Sequence, residues 1–122
     1  MILVDTSIWV DHLQAGDEEL AFLLQGEEVL AHPFVIGEIA LGHLRHREID
    51  LATLHDLPAA PVAMDHEVLD LIDRNRLFGV GIGYVDAHLL AAVQLTGALL
   101  WTRDRRLAEV ARRLGIATRL PN

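Results

Sequence analysis

The sequence predicts an α/β domain, a three-layer α/β/α sandwich with a mainly parallel sheet, and three observations carry that expectation. The chain opens on Met1-Ile2-Leu3-Val4, with the acid Asp5 and the hydroxyls of Thr6 and Ser7 directly behind. A continuous apolar run of this kind reads as a central strand covered on both faces. Short apolar runs then recur at Val29 to His32, Val62 to Met64, Ala98 to Thr102 and Ile116 to Arg119. The connections between them are long enough for right-handed parallel crossovers. Finally, 52% of residues are hydrophobic but only two Trp, one Tyr and three Phe are present, so the core is aliphatic. That suits helices packed on a sheet better than an all-β sandwich.

The elements follow in order. Thr6 to Gln14 reads as a short helix ended by Ala15-Gly16, and Asp17 to Gln25 as a second, with acids at its N-terminus and Gly26 at its end. After the Val29 strand, Pro33 opens a helix expected to run to about Arg47. Asp50 to Leu57 is a weaker helix, and Pro58 and Pro61 bracket a turn before the short Val62 strand. Asp65 to Leu77 carries Val68, Leu69, Leu71 and Ile72 at helical spacing. Phe78-Gly79-Val80-Gly81-Ile82-Gly83-Tyr84 matches no phosphate-loop spacing, so it reads as a flexible connector. Val85 to Thr96 is nearly all apolar, a buried helix closed by Gly97. Asp104 to Leu114 is an Arg-faced helix closed by Gly115. All 122 residues form one domain, with no internal repeat or linker.

Composition excludes several classes. With no cysteine, disulfide frameworks, thiol catalysis and Cys-ligated zinc are all removed. No basic segment precedes an apolar one at the N-terminus, and no apolar run nears the ~18 residues needed to span a bilayer. A cytoplasmic protein with no membrane association is expected. The net charge of −8 argues against a nucleic-acid partner at first sight. Its distribution is less simple: all ten basic residues are Arg, and six of them fall between Arg103 and Asn122. Arg forks suit phosphate, although an Arg-rich helix face is often only solvated.

Four acids stand in suggestive positions. Glu38 has Phe34, Val35, Leu41 and Gly42 one turn away on either side. A carboxylate on such a face is expected to need compensation, from an Arg or from a metal. Asp5, Asp86 and Asp104 each stand where a helix starts, so each taken alone reads as a cap or a first-turn acid. Asp5 and Asp104 also follow apolar strands, at the carboxyl edge of a parallel sheet where ligands bind. Glu38 lies about one turn into the helix after the second strand, and Asp86 opens the helix before the Ala98 strand. Four carboxylates gathered at one edge require cations, and oxygen donors without His or Cys select Mg²⁺ or Mn²⁺.

The strand-end Asp5-Thr6-Ser7, Glu38 in a helix after Pro33, Asp86-Ala87-His88-Leu89-Leu90-Ala91-Ala92 and Thr102-Arg103-Asp104-Arg105-Arg106-Leu107 together resemble the PIN domain family. The likeness is narrower to the VapC ribonuclease toxins of bacterial toxin–antitoxin modules. It extends over nearly the whole chain. The resemblance implies a five-stranded parallel sheet of order 3-2-1-4-5 and metal-dependent hydrolysis of RNA. It further implies that Asp5, Glu38, Asp86 and Asp104 hold one or two divalent ions, Mg²⁺ or Mn²⁺, with Thr6, Ser7 and Thr102 supporting them. A cognate antitoxin protein and a homodimer are the partners it implies. Trp9 and Phe22 are candidates to line an antitoxin groove, although a core role fits both better. Some of Arg74, Arg76, Arg103, Arg105 and Arg106 are expected to contact RNA phosphate.

Other chemistries fit less well. A phospho-acceptor receiver wants a Lys, and the chain has none. A dehalogenase-type phosphatase wants a second acid at position 7, which is Ser. No G-x-S-x-G elbow supports a hydrolase triad. His43 and His46 lack a third zinc ligand. The remaining rivals are a catalytically silent PIN-like binding module and a nuclease acting on DNA.

Overall fold

Three short strands pair in parallel around the N-terminal run, and the polar chemistry gathers where they end. The computed structural model describes residues 1–121. Strand β1 (Ile2–Val4) lies between β2 (Val29–Leu30) and β3 (Leu99–Trp101). Ile2 faces Val29 on one side and Leu99 on the other, and Val4 faces Trp101. Leu3, Val4, Val29, Leu100 and Trp101 are all buried. Seven helices complete the described chain: α1 (Thr6–Ala15), α2 (Glu18–Gln25), α3 (Pro33–Ala40), α4 (Arg47–Asp56), α5 (Asp65–Arg74), α6 (Tyr84–Thr96) and α7 (Arg105–Arg113). Helix α6 buries seven consecutive residues from Ala87 to Val93, in keeping with its apolar sequence.

The expected five strands are corrected to three. The two outer positions are occupied by single parallel bridges, Ala31 with Ala59 and Leu100 with Ala117. The chain therefore keeps the predicted order of the three central strands, while the two expected outer strands are reduced to single bridges. On the β2 side, Ala31 N–H donates to Pro58 O and Ala60 N–H to Ala31 O. Pro61 follows at once and has no N–H to extend the ladder. Pairing thus occurs at Ala59, upstream of the expected Val62 to Met64 strand, which is irregular. On the β3 side, Ile116 O and Thr118 N–H both bond Leu100, and regular pairing goes no further.

The helix from Pro33 also ends sooner than Arg47. Leu41 N–H turns to Gly37 O and Gly42 N–H to Ile39 O. Leu41 is 90% exposed, so burial gives the chain no reason to continue the helix. Gly42, a poor helix former, favours the break. A new helix starts at Arg47, earlier than the expected Asp50.

His32 caps α3: its Nδ1 accepts from Phe34 N–H at 3.0 Å. The ring is fully buried. Burial first, and the neighbouring His88 second, lower its pKa to about 4. The unfolded chain, with an ordinary imidazole near 6.5, therefore takes up the proton before the folded one does. The resulting stability is complete above pH ~6.5 and is lost as pH falls toward 4, at no more than roughly 1.4 kcal/mol per pH unit. His32→Asn keeps a capping acceptor and removes the titration. Urea unfolding at a series of pH values is expected to show a shallower acid decline for the variant than for the wild type.

Candidate functional site

The site is built where β1 and β3 run side by side. Asp5 N–H donates to Trp101 O at 2.9 Å, extending the ladder by one residue and setting Asp5 beside Thr102. The Asp5 carboxylate, only 7% exposed, accepts through Oδ2 from Thr102 Oγ1 at 2.7 Å and from Ser7 Oγ at 2.9 Å. Asp5 occupies the N-cap position of α1, but its side chain makes no cap hydrogen bond and turns to Ser7 and Thr102 instead. Ser7 Oγ accepts from Arg103 N–H, and Thr102 Oγ1 from Asp104 N–H, both at 3.0 Å. Two tripeptides almost a hundred residues apart are thereby interlocked.

The other three acids are held in similar fashion. Glu38 Oε1 accepts from Thr6 Oγ1 at 2.8 Å. Asp86 Oδ2 accepts from Gly83 N–H at 2.9 Å, at the start of α6. Asp104 caps α7 through Oδ1, which accepts from the N–H groups of Arg106 and Leu107. In each of the four, one carboxylate oxygen is tethered and the other has no hydrogen-bond partner among the described residues. Among the described residues, none of the four is in a salt bridge. Glu38 differs from expectation: it is exposed, so the penalty of a buried charge does not apply to it. Val35 and Ile39 turn to the core while the carboxylate reaches Thr6.

The acids also interact electrostatically. Burial raises the pKa of half-buried Asp86, the Gly83 hydrogen bond opposes this, and the charges of Asp5, Asp104 and Glu38 raise it further. The four carboxylates therefore share one electrostatic neighbourhood. Among the described residues, no three His, Asp or Glu groups stand close enough to form a ready-made metal cage. The donor set nevertheless fits a hard divalent ion, offering untethered carboxylate oxygens on positions already fixed by hydroxyls and backbone N–H groups. Asp86→Asn can keep the Gly83 bond while removing the crowded charge. In chelator, it is expected to melt a few degrees above the wild type; in Mg²⁺, it is expected to gain less stabilisation than the wild type does.

The arginines divide. Arg103 was among the expected phosphate contacts, but its guanidinium bonds both Asp11 and Asp17 at 2.5 Å. That double pairing raises its pKa, and the Leu20 N–H, with the Arg103 guanidinium beside it, lowers that of Asp17. Arg103 thus fastens α1 and the start of α2 to the loop after β3. Arg74 pairs with Asp70 on the exposed face of α5 at 2.8 Å. Arg76, Arg105 and Arg106 are exposed. Trp9 is in the core, whereas Phe22 is 70% exposed and does not have the core role expected of it.

Sequence reasoning missed the Arg103 clamp and the buried His32–His88 pair. The clamp joins residues 86 and 92 positions apart, for which no local pattern exists. For His32, the signal available was an imidazole directly between an apolar strand and Pro33.

This fold and site define a class. The PIN domain family profile matches residues 2–113, and the chain belongs to the PIN domain family. Within that family, it is 49% identical over 118 residues to Ribonuclease VapC32 of Mycobacterium tuberculosis, in two strains, covering 96% of this chain and 95% of the relative. The crystal structure of PAE2754 from Pyrobaculum aerophilum superposes with a TM-score of 0.59 over 93% of this chain and 88% of that one. At 18% identity, that likeness bears on the fold alone.

Proposed function

We propose that the protein is a divalent-metal-dependent endoribonuclease that hydrolyses RNA phosphodiester bonds, and that it is the toxin of a toxin–antitoxin pair. The observation that carries this reading is the set of four carboxylates, each tethered by one oxygen and open at the other, in a chain 49% identical to a ribonuclease along nearly its whole length. Asp5, Glu38, Asp86 and Asp104 are the catalytic groups and would hold one or two Mg²⁺ or Mn²⁺ ions. Such an ion supplies charge neutralisation at phosphate oxygens and makes a water more acidic.

The protein's own part is positioning. Ser7 and Thr102 fix the Asp5 carboxylate, so its free oxygen keeps one direction. Thr6 does the same for Glu38, the Gly83 N–H for Asp86, and the first turn of α7 for Asp104. Supporting groups of this kind typically contribute 10–100-fold to metal affinity or activity. The reading includes a cognate antitoxin protein and a second copy of the chain as partners, and action in the cytoplasm. It also takes the helices as layers on both faces of the sheet.

The test is cleavage of a mixed structured RNA with Mg²⁺ or Mn²⁺, and with chelator, alongside Asp5→Asn protein purified identically. Single-stranded DNA of matching sequence serves as the second substrate. Metal-dependent cutting of RNA that the variant lacks is the expected result. Equal cutting by both proteins would trace the activity to a contaminant. No cutting by either, with no metal binding by calorimetry, would replace the enzyme by a silent binding module.

A further inference from the structure

The connector from Phe78 to Gly83 joins α5 to α6 and ends at the N–H that holds Asp86. Within it, Gly81 has φ +85°, and the side chain of Arg106 from α7 lies directly on its backbone. A Cβ at this position would stand 2.7 Å from Arg106 Cδ and 3.0 Å from Cζ, closer than packed atoms tolerate. The guanidinium therefore rests close against the Gly81 backbone, and a Cβ there would push this flexible side chain aside. At its other end, Arg106 is tied to the site, since its N–H is one of two holding Asp104 Oδ1. One residue thus reaches from the loop carrying Asp104 to the loop leading to Asp86.

Its charge is also uncommitted. Arg103 has two carboxylates and Arg74 has one, but Arg106 meets none among the described residues. The chain has 18 acidic residues against ten Arg, so an unpaired fork beside an acidic cleft is not for want of anions. A cleft of carboxylates repels an RNA backbone, and an exposed guanidinium at its edge offers a bidentate site for one phosphate.

We propose that Arg106, seated on Gly81, is a substrate-positioning residue that anchors a backbone phosphate of the RNA at the edge of the carboxylate cleft. The inference rests on the ribonuclease reading and deepens it by naming how the substrate is held. The connector's middle glycine is then a functional requirement, as well as a conformational one.

Steady-state cleavage of a single-stranded RNA oligonucleotide in Mg²⁺ at several salt concentrations tests it, with folding of each variant checked by its thermal melt. Arg106→Ala is expected to raise KM about tenfold or more with little change in kcat. It is also expected to reduce the slope of log KM against log salt by about 0.7, the value of one phosphate contact on a single strand. Arg106→Lys restores the salt slope but not the full affinity. Gly81→Ala, which displaces the guanidinium without removing it, reproduces the Arg106→Ala effect. The double variant is then no worse than either single one. Gly79→Ala is the control: its φ of +71° imposes similar backbone strain, but nothing lies within 4 Å of the added methyl, so KM stays unchanged. An unaltered KM and salt slope in Arg106→Ala, or additive effects of the two substitutions, would overturn the inference while the ribonuclease reading stands. A wild type that cleaves no RNA would overturn that reading, and the inference with it.

Discussion

Asp5→Asn is expected to lower metal-dependent RNA cleavage on the order of 10²–10³-fold, the loss typical when a central electrostatic group is removed from a catalytic site. Among the four acids, Asp5 is the most enclosed, at 7% exposed. Two hydroxyls converge on a single oxygen of it. Asn can present its carbonyl to Ser7 and Thr102 and place an NH₂ where the free oxygen stood. The packing and the interlock with Thr102 are then retained, while the negative charge and the second donor oxygen are lost. The thermal midpoint in chelator should change little, and the stabilisation by Mg²⁺ should shrink. A variant that keeps both its activity and its Mg²⁺ response would remove Asp5 from the site.

Trp101→Ala is expected to cost about 3–5 kcal/mol of folding stability, the range for truncating a large buried aromatic side chain. Trp101 is 1% exposed in β3, and its backbone carbonyl receives the N–H of Asp5. Its indole Nε1–H donates to Pro121 O at 2.7 Å, which ties the C-terminal segment to the sheet. Truncation therefore opens a cavity beside β1 and orphans that carbonyl together. Domains of this size are stable by roughly 5–15 kcal/mol, so much of the margin would be gone. Urea titration should show a lower midpoint with an unchanged slope. Any activity that survives should track the folded fraction, in contrast to Asp5→Asn, which stays folded and inactive. A midpoint within experimental error of the wild type would refute the role assigned to this indole.

Much of the candidate site was legible from the chain because three of its acids, Asp5, Asp86 and Asp104, stand at helix starts. Asp5 follows three apolar residues, and Asp104 follows Leu99-Leu100-Trp101 and caps a helix. Those are local signals, written within a few positions of each acid. The likeness of Thr6, Ser7 and Thr102 to supporting groups was carried by family resemblance, and their hydrogen bonds to Asp5 and Glu38 give it a physical basis. The burial inferred for Glu38 failed because neighbours in sequence define a helix face but not which side of it meets the core. Phe22 failed for a related reason: on a two-turn helix, hydrophobicity alone does not say which residue the core accepts.

By itself, the sequence determined the order of the helices and of the three central strands, the aliphatic core, and the placing of Asp5, Asp86 and Asp104 at helix starts. Each of these depends on patterns of two to four residues, which periodicity and capping make visible. The tertiary structure alone decided where pairing stops, which Arg is spent on Asp11 and Asp17, and that Arg106 lies on Gly81. Thr102 and Asp5 are 97 positions apart and Thr6 and Glu38 are 32. Contacts at such separations are fixed by how the whole chain closes on itself, so no local pattern records them.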